Sequence, residues 1–499
     1  MNSATHTTPK LPPAPKEWQI KQAMHIGFDL WDNMAKWQKE FGDAFTTKLP
    51  GQGPMVWVCD PKMVKDVFSL KPDQYDPSLV QIPMDIGEDT TLFLNNKEHE
   101  ISRKMIIPPL NTHRLRSRAD IMHEIVTEHI NSWVPNEKFN MPRLVGDITL
   151  DIICFTVFNL RHGPRKERYK KLMLGWLLTS CTDAMFAIGS LFGAKNIRVK
   201  LNEQYLKRTA KKEFGDGEKG ILPWKQPIEL KVQLADMIRT DIREIRRRND
   251  PSEIHMLSTL ARTTYDNGEL LDEERVIGEC ISMLVGGHET SAATAAWFII
   301  WLQKKPEYME KIRAEVKESI AKEGKFDAIK VSELPYLTAC LNESQRLTPS
   351  AIGTIRWLTQ DTHIGSLYLP KGTAVLPCTY LTHRRKDIYG EDANEYRPER
   401  WLEGNKYGPN EFFPFGGGRR ACPGMNQARQ QLRIIFAEFA RRAVFDSEWA
   451  HTDKWPVPRQ IGGQTEPNEG AWVTIKEVRP ENTDFPAESI PKLKTVVTA

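Results

Sequence analysis

Phe413-Pro414-Phe415-Gly416-Gly417-Gly418-Arg419-Arg420-Ala421-Cys422-Pro423-Gly424 is the stretch on which the reading of this chain turns. Three consecutive glycines let the backbone enter a tight, bulged hairpin that residues with side chains cannot follow. Pro423 suits the first position of a helix, and the run from Met425 is helix-compatible, so Cys422 is expected at a helix N-terminus. Unpaired amide N–H groups and partial positive charge at that end favour a thiolate over a thiol. A thiolate held this way is a soft ligand suited to iron. The same residues also fit a glycine-rich surface loop with a buried, inert cysteine. The other six cysteines, at 59, 154, 181, 280, 340 and 378, are scattered and form no CxxC pair. A disulfide framework and a zinc ribbon are therefore not expected, and a reducing compartment is.

The combination Phe415-x-x-Gly418-x-Arg420-x-Cys422-x-Gly424 closely resembles the haem-binding signature of the cytochrome P450 family, with every fixed position met. The resemblance implies haem b (iron protoporphyrin IX) as cofactor, with the Cys422 thiolate as axial iron ligand pushing electron density into the metal to favour O–O cleavage. It also implies that Arg420 pairs with a haem propionate and that Phe415 packs near the sulfur. Upstream, Glu343-Ser-Gln-Arg346 matches the family's E-x-x-R element, and Arg400 of Tyr396-Arg-Pro-Glu-Arg400-Trp401 falls between it and Cys422. By the same resemblance, Glu343, Arg346 and Arg400 form a buried structural network, costly to break because removing one member strands the others' charges. Glu244-Ile-Arg-Arg247 fits the tetrapeptide too, but it sits in a charged run that reads as a solvated face. The copy at 343 has the family's distance from the cysteine.

Further upstream lies Leu284-Val285-Gly286-Gly287-His288-Glu289-Thr290-Ser291. Gly286 and Thr290 are four apart and share a helix face. They fall in one expected helix from Asp272, which suits the N-cap, to Lys304, about 50 Å long at 1.5 Å per residue. The match to the family's acid–alcohol pattern implies that Gly286 removes bulk where a flat macrocycle and dioxygen must fit. Its expected cost is roughly 1 kcal/mol of helix propensity. Thr290 then offers a hydroxyl to that space and Glu289 an ionisable group for relaying protons. The bland alternative is a helix kink with ordinary capping. His288 receives no role. His99 and Arg103, in Lys97-Glu-His-Glu-Ile-Ser-Arg103, and Arg356, ten residues after Arg346, resemble the family's remaining contacts to the haem carboxylates. Bidentate guanidinium–carboxylate bonding explains why arginine recurs there.

Composition sets the bounds. The 499 residues are 40% hydrophobic and 27% charged with a formal charge of +4, which suits a soluble globular chain and is too balanced for nucleic-acid binding. Helical periodicity recurs at 111–133, 143–158, 228–248, 306–322 and 334–347. Extended segments are expected at 44–48, 55–59, 364–369 and 373–376. This predicts a mainly α fold with small β-sheets, and the resemblance specifies the cytochrome P450 fold. Since the likeness runs from about residue 15 to 475, one domain over 17–480 is expected, between a Pro-rich tail at 1–16 and a tail at 481–499. No GxGxxG dinucleotide signature follows a strand. The N-terminal residues contain no apolar segment that could act as a transmembrane anchor, so a cytoplasmic protein is expected. Leu172–Ala194, with Asp183 its one charge, reads as two short apolar helical pieces forming a lid, or alternatively a peripheral membrane contact.

The substrate pocket, placed by resemblance, draws on 77–94, 172–194, 283–287, 351–355 and 461–463. These segments are apolar and contain no cluster of Arg or Lys that would clamp a carboxylate, which points to a lipophilic terpenoid, steroid or similar metabolite. The resemblance implies O2 as co-substrate and electrons from a ferredoxin or flavodoxin with its reductase. Arg419, Arg429 and Arg433 are candidates for the docking face. A haem-thiolate peroxygenase or isomerase and a non-catalytic haem sensor are the rival classes, and the acid–alcohol pair speaks against the first.

Overall fold

The structure, a computed structural model, describes residues 8–80, 82–218, 220–461 and 464–481. Its centre is a packed group of helices. Met141–Phe158 is buried on nearly every face, as expected of a helix enclosed by others rather than lying at a surface. Against it runs Glu289–Lys304, buried continuously from Ser291 to Leu302. Ala119–Asn131 and Met425–Arg442 complete this apolar cluster. Four alanines between Ala292 and Ala296 let the neighbouring helices approach, while Trp297, Phe298 and Phe436 fill the space with no exposed surface. Burial of each such phenylalanine is worth about 2–3 kcal/mol. A second apolar cluster joins the other side of Met141–Phe158 to Pro164–Ser180, Lys225–Arg248 and Glu273–Gly287.

Eleven short strands are described: β1 (Ala44–Lys48), β2 (Pro54–Val58), β3 (Lys138–Asn140), β4 (Arg356–Trp357), β5 (Thr362–Ile364), β6 (Leu367–Leu369), β7 (Ala374–Pro377), β8 (Ala443–Asp446), β9 (Pro458–Ile461), β10 (Gln464–Pro467) and β11 (Trp472–Val478). They form a four-stranded sheet ordered β1-β2-β7-β4, a three-stranded sheet β3-β11-β8, and two hairpins, β5–β6 and β9–β10. In the largest sheet β7 runs parallel to β2, with Val375 opposite Val56. The β4 strand pairs antiparallel to β7, with Arg356 opposite Val375. That register places Arg356, which is buried, on the sheet's edge strand.

The mainly α fold with small sheets is as expected, and the segments at 143–158, 228–248, 306–322 and 334–347 all become helices. Three expectations are corrected. The long helix from Asp272 to Lys304 is two helices, Glu273–Gly287 and Glu289–Lys304, parted at His288. The Thr290 hydroxyl donates to the Gly286 carbonyl at 2.6 Å, a bond that competes with the backbone ladder, and the adjacent glycines offer little stiffness. The segment 111–133 is also two helices, Thr112–Arg116 and Ala119–Asn131, divided at Ser117. The extended segment 364–369 folds as a hairpin turning at Gly365, whose φ of +57° disfavours any side chain.

Leu172–Ala194 does form two helical pieces, the end of Pro164–Ser180 and Asp183–Phe192, bent by 51°. Leu172, Met173, Trp176, Leu177 and Met185 face inward, whereas Leu178, Leu191 and Phe192 are exposed. Among the described residues no single helix is long and apolar enough to cross a membrane, and this bent pair passes that test only jointly.

Candidate functional site

Cys422 is presented by a loop that glycine alone can make. Gly416 and Gly418 have φ of +67° and +64°. A Cβ on Gly418 would lie 2.1 Å from the carbonyl oxygen of Phe68, and one on Gly417 would enter the Phe68 ring. The loop is thus pressed onto the end of Pro61–Phe68, and the Cys422 amide closes it by donating to the Phe415 carbonyl at 2.9 Å. Phe415 lies under the Arg429 guanidinium, 5.1 Å from its ring centre.

The expectation for the thiol needs correcting. Pro423 does not begin the helix, which starts at Met425 behind Gly424 as N-cap. Burial raises the Cys422 pKa, while the amides of Gly424 and Met425 and the charge of Arg103 pull it down. The helix end therefore offsets only part of the desolvation, and a bound metal must supply the rest. Although surrounded by protein, Cys422 is solvent-accessible. No group of three or more His, Cys, Asp or Glu suited to a metal occurs among the described residues. A metal at this sulfur brings most of its ligands with it.

Gly286 and Thr290 are exposed within helices whose other residues are largely buried, so their shared face is open rather than packed. A Cβ on Gly286 would meet nothing within 4 Å. Since the Thr290 hydroxyl donates its proton to the Gly286 carbonyl, its oxygen is left as an acceptor. Glu289 accepts from Gln464 Nε2 at 2.7 Å. Burial and the nearby Glu466 carboxylate raise its pKa to about 7 against the pull of that bond. It is a carboxyl that can hold or release a proton near neutrality. His288, left without a role, is a packed residue: it is buried and seated where a side chain on Gly146 would collide with its ring.

His99, Arg103, Arg356 and Arg420 come together. Burial first, and then the charges of Arg420, Arg103, Arg356 and Arg419, lower the His99 pKa to about 3, so the imidazole is neutral. Arg103 donates to the Ala421 carbonyl at 2.8 Å. Arg420 donates to the carbonyls of Thr91, at 3.0 Å, and Leu94, while its Nε is buried without an acceptor. Burial lowers the pKa of both Arg356 and Arg420, and the Tyr75 ring lies within 6 Å of both guanidiniums. None of Arg103, Arg356 and Arg420 has a carboxylate partner among the described residues. Convergent unpaired guanidiniums are costly unless an anion completes them. Together with an accessible thiol and open space over Gly286, they fit the iron, flat macrocycle and carboxylates of haem.

Glu343, Arg346 and Arg400 form the expected network, and Glu343 and Arg346 have no exposed side-chain surface. The Glu343 carboxylate accepts from Arg346 Nε and Nη2 at 2.9 and 2.8 Å, from Arg400 Nε at 3.0 Å, from Trp401 Nε1 at 2.9 Å and from the Arg397 amide at 2.9 Å. The remaining arginine donors reach backbone carbonyls, including those of His383 and Ala393, and Arg400 also pairs with the Asp392 carboxylate at 3.3 Å. The competing copy, Glu244 and Arg247, is exposed.

The proposed pocket walls are apolar: Met84, Ile86, Phe93, Trp176, Leu177, Met185 and Leu284 share one cluster. The side chains of 461–463 lie outside the described residues. The three arginines expected on the proximal side differ in exposure. Arg419 is exposed and pairs with Glu100. Arg429 and Arg433 are half-buried, and Arg433 donates to the Ser332 carbonyl. Sequence reasoning missed Tyr75, Thr91, Glu279 and Gln464. Tyr75 and Thr91 reach the site from loops, Gln464 from β10 and Glu279 from the helix Glu273–Gly287, and none belongs to a recognisable motif.

A family model described as Cytochrome P450 matches residues 9–469. Cytochrome P450 135B1 of Mycobacterium tuberculosis is 24% identical over 474 residues, 94% of this chain and 92% of that protein. Taxoid 7-beta-hydroxylase of Taxus cuspidata is 27% identical over 409 residues, 81% of this chain and 76% of that one. Among solved structures, retinoic acid-bound cyanobacterial CYP120A1 aligns over 94% of this chain and 100% of its own with a TM-score of 0.73 at 18% identity, a likeness of fold.

Proposed function

The chain belongs to the cytochrome P450 family and is a haem-dependent monooxygenase, and from that premise we propose that it oxygenates an uncharged lipophilic metabolite of terpenoid or steroid type. One observation carries the substrate class. Most of the distal walls share one apolar cluster, with Ile352 in a neighbouring one, and two buried cations beside the first already have partners. Lys231 pairs with Asp85 at 2.6 Å and Arg198 with Glu88 at 2.5 Å. A ligand carboxylate would have to displace one of these carboxylates. The hydroxylase of a taxoid among the relatives agrees with this reading.

Bound haem supplies the oxygen chemistry: with two electrons and two protons, O2 is split, one atom entering the substrate and the other leaving as water. The chain's own residues do the rest. Cys422 would hold the iron through Sγ, and His99, Arg103, Arg356 and Arg420 would hold the carboxylates. Gly286 leaves room for the oxygen molecule. Glu289 holds a proton near neutrality, and the Thr290 oxygen, its own proton engaged by Gly286, accepts and orients what passes. The apolar walls exclude water that would divert the oxidant. Residues 17–480 act as one domain. Electrons come from a ferredoxin or flavodoxin, steered toward Arg419 and Lys104, both exposed.

Titrating the ferric holoenzyme with neutral terpenoids and steroids, and in parallel with long-chain fatty acids, tests the substrate class. Neutral ligands should displace the iron-bound water and shift the Soret band to shorter wavelength. A response confined to the carboxylates would overturn it.

A further inference from the structure

Glu279, on Glu273–Gly287 two helical turns before Gly286, belongs to no motif and takes no part in the chemistry above. It is 1% exposed. Its Oε1 accepts three bonds, from the Thr91 amide at 2.7 Å, the Thr91 hydroxyl at 2.8 Å and the Ser102 hydroxyl at 2.7 Å. Its Oε2 is buried and has no hydrogen-bond partner. The helix is built to receive this loop: a Cβ on Gly278, the preceding residue, would lie 2.8 Å from the Thr90 methyl and 3.1 Å from the Ile86 carbonyl. A buried carboxylate is expensive to keep, and it persists where its donors need it.

Thr91 is gripped from two sides. Its N–H and hydroxyl go to Glu279, and its carbonyl accepts from Arg420 Nη1 at 3.0 Å. Arg420 also donates to the next few residues, to the carbonyls of Leu92, at 3.4 Å, and Leu94 and to the side-chain oxygen of Asn95, at 3.3 Å, while the Tyr75 side chain lies against the guanidinium from another side. These residues form a turn outside any regular element, with the Phe93 and Leu94 amides both donating to the Thr90 carbonyl. The loop Thr91–Asn95 thus supplies most of the acceptors that aim the Arg420 guanidinium, and Glu279 holds the start of that loop at Thr91.

We propose that Glu279 is a positioning residue for the haem: through Thr91 it fixes the loop carbonyls that orient Arg420 toward a haem propionate. This rests on the assignment of Arg420 as a propionate partner. The test is a double-mutant cycle on the holoenzyme, reading the rate of ferric haem transfer to excess apomyoglobin and the ferric/ferrous potential. Glu279→Leu should speed haem loss roughly tenfold, the effect of one buried hydrogen bond left unmade. In an Arg420→Ala background it should add almost nothing, because the residue it acts through is gone. Glu279→Gln keeps an acceptor for Thr91 and should restore most of the retention. Thr91→Val, which conserves shape, should move haem loss in the same direction by less, and covers the case in which Glu279→Leu does not fold. Equal effects of Glu279→Leu, or of Thr91→Val, in the Arg420 and Arg420→Ala backgrounds would overturn the proposal while leaving Arg420 in its role. Unchanged haem retention in Arg420→Ala would instead remove the assignment on which it rests.

Discussion

The Thr290 hydroxyl donates to the carbonyl of Gly286 across the junction of two helices, at 2.6 Å. That bond takes a carbonyl that the backbone ladder would otherwise use, and it leaves the Thr290 oxygen as an acceptor on a face where Gly286 has no side chain to intrude. Thr290→Ala should consequently separate oxygen consumption from product. With electrons supplied, product formed per electron pair should fall about tenfold or more while oxygen uptake continues, as expected for loss of a proton-transfer group. Stability should change by about 1 kcal/mol or less. Product assay beside oxygen-electrode traces checks this, and unchanged coupling would count against the relay.

Glu289 carries a pH prediction with a definite sign. Burial and Glu466 raise its pKa from 4.5 to about 7, so between those values the folded protein holds a proton that the unfolded chain has released. This group's contribution to stability is then full below about pH 4.5 and is lost as pH rises toward 7. Glu289→Gln should remove that slope and stabilise the protein above pH 7 by on the order of 2 kcal/mol. Melting temperatures of both proteins between pH 5 and 8 supply the comparison. The wild type's coupling of oxygen to product should decline above neutrality, and the variant's should be low throughout.

How far the site was legible depended on the kind of residue. Cys422, Arg420, Glu343 and Thr290 stand in spacings that encode local geometry, a glycine loop or one helix turn, and the sequence carries such information directly. What it hid was either competition or distance. A threonine hydroxyl outbidding a backbone amide split the helix at His288. Burial outweighed the helix end at Cys422, a balance set by neighbours rather than by the motif. Gln464 and Glu279 act through contacts spanning 175 and 188 residues, to Glu289 and Thr91, and no periodicity records those. Nor does the sequence show that Arg429, a candidate for the docking face, has Phe415 packed against it.

The Glu343 network predicts a contrast between two copies of one tetrapeptide. Glu343 gathers four side-chain donors and one amide with no exposed surface. Arg346→Leu or Glu343→Leu should cost about 3–5 kcal/mol by stranding the partners. Such variants should be recovered largely without haem, as the network underlies the cysteine loop. Glu244→Ala, in the exposed copy, should shift stability by about 0.5 kcal/mol or less. Denaturant unfolding and the Soret-to-protein absorbance ratio read both.

Two glycines of the cysteine loop should respond in opposite ways to the same substitution. Gly418 has a φ of +64°, and a Cβ there would lie 2.1 Å from the Phe68 carbonyl oxygen, a backbone atom unable to swing aside. Gly418→Ala must move either the loop or the end of Pro61–Phe68, at a cost of at least about 2 kcal/mol from strain and steric conflict. Gly424 is different. Its φ is −86°, and a Cβ would reach only the Cys422 sulfur, at an ordinary contact distance of 3.9 Å. As an N-cap, alanine costs about 1 kcal/mol or less relative to glycine. Gly424→Ala should therefore fold, bind haem and keep the strongly red-shifted Soret band of the reduced carbon monoxide complex, which reports thiolate ligation. Gly418→Ala should lose that band or fail to retain haem. Two variants with equal haem content and the same red-shifted band would show that the contact with Phe68 does not set the loop.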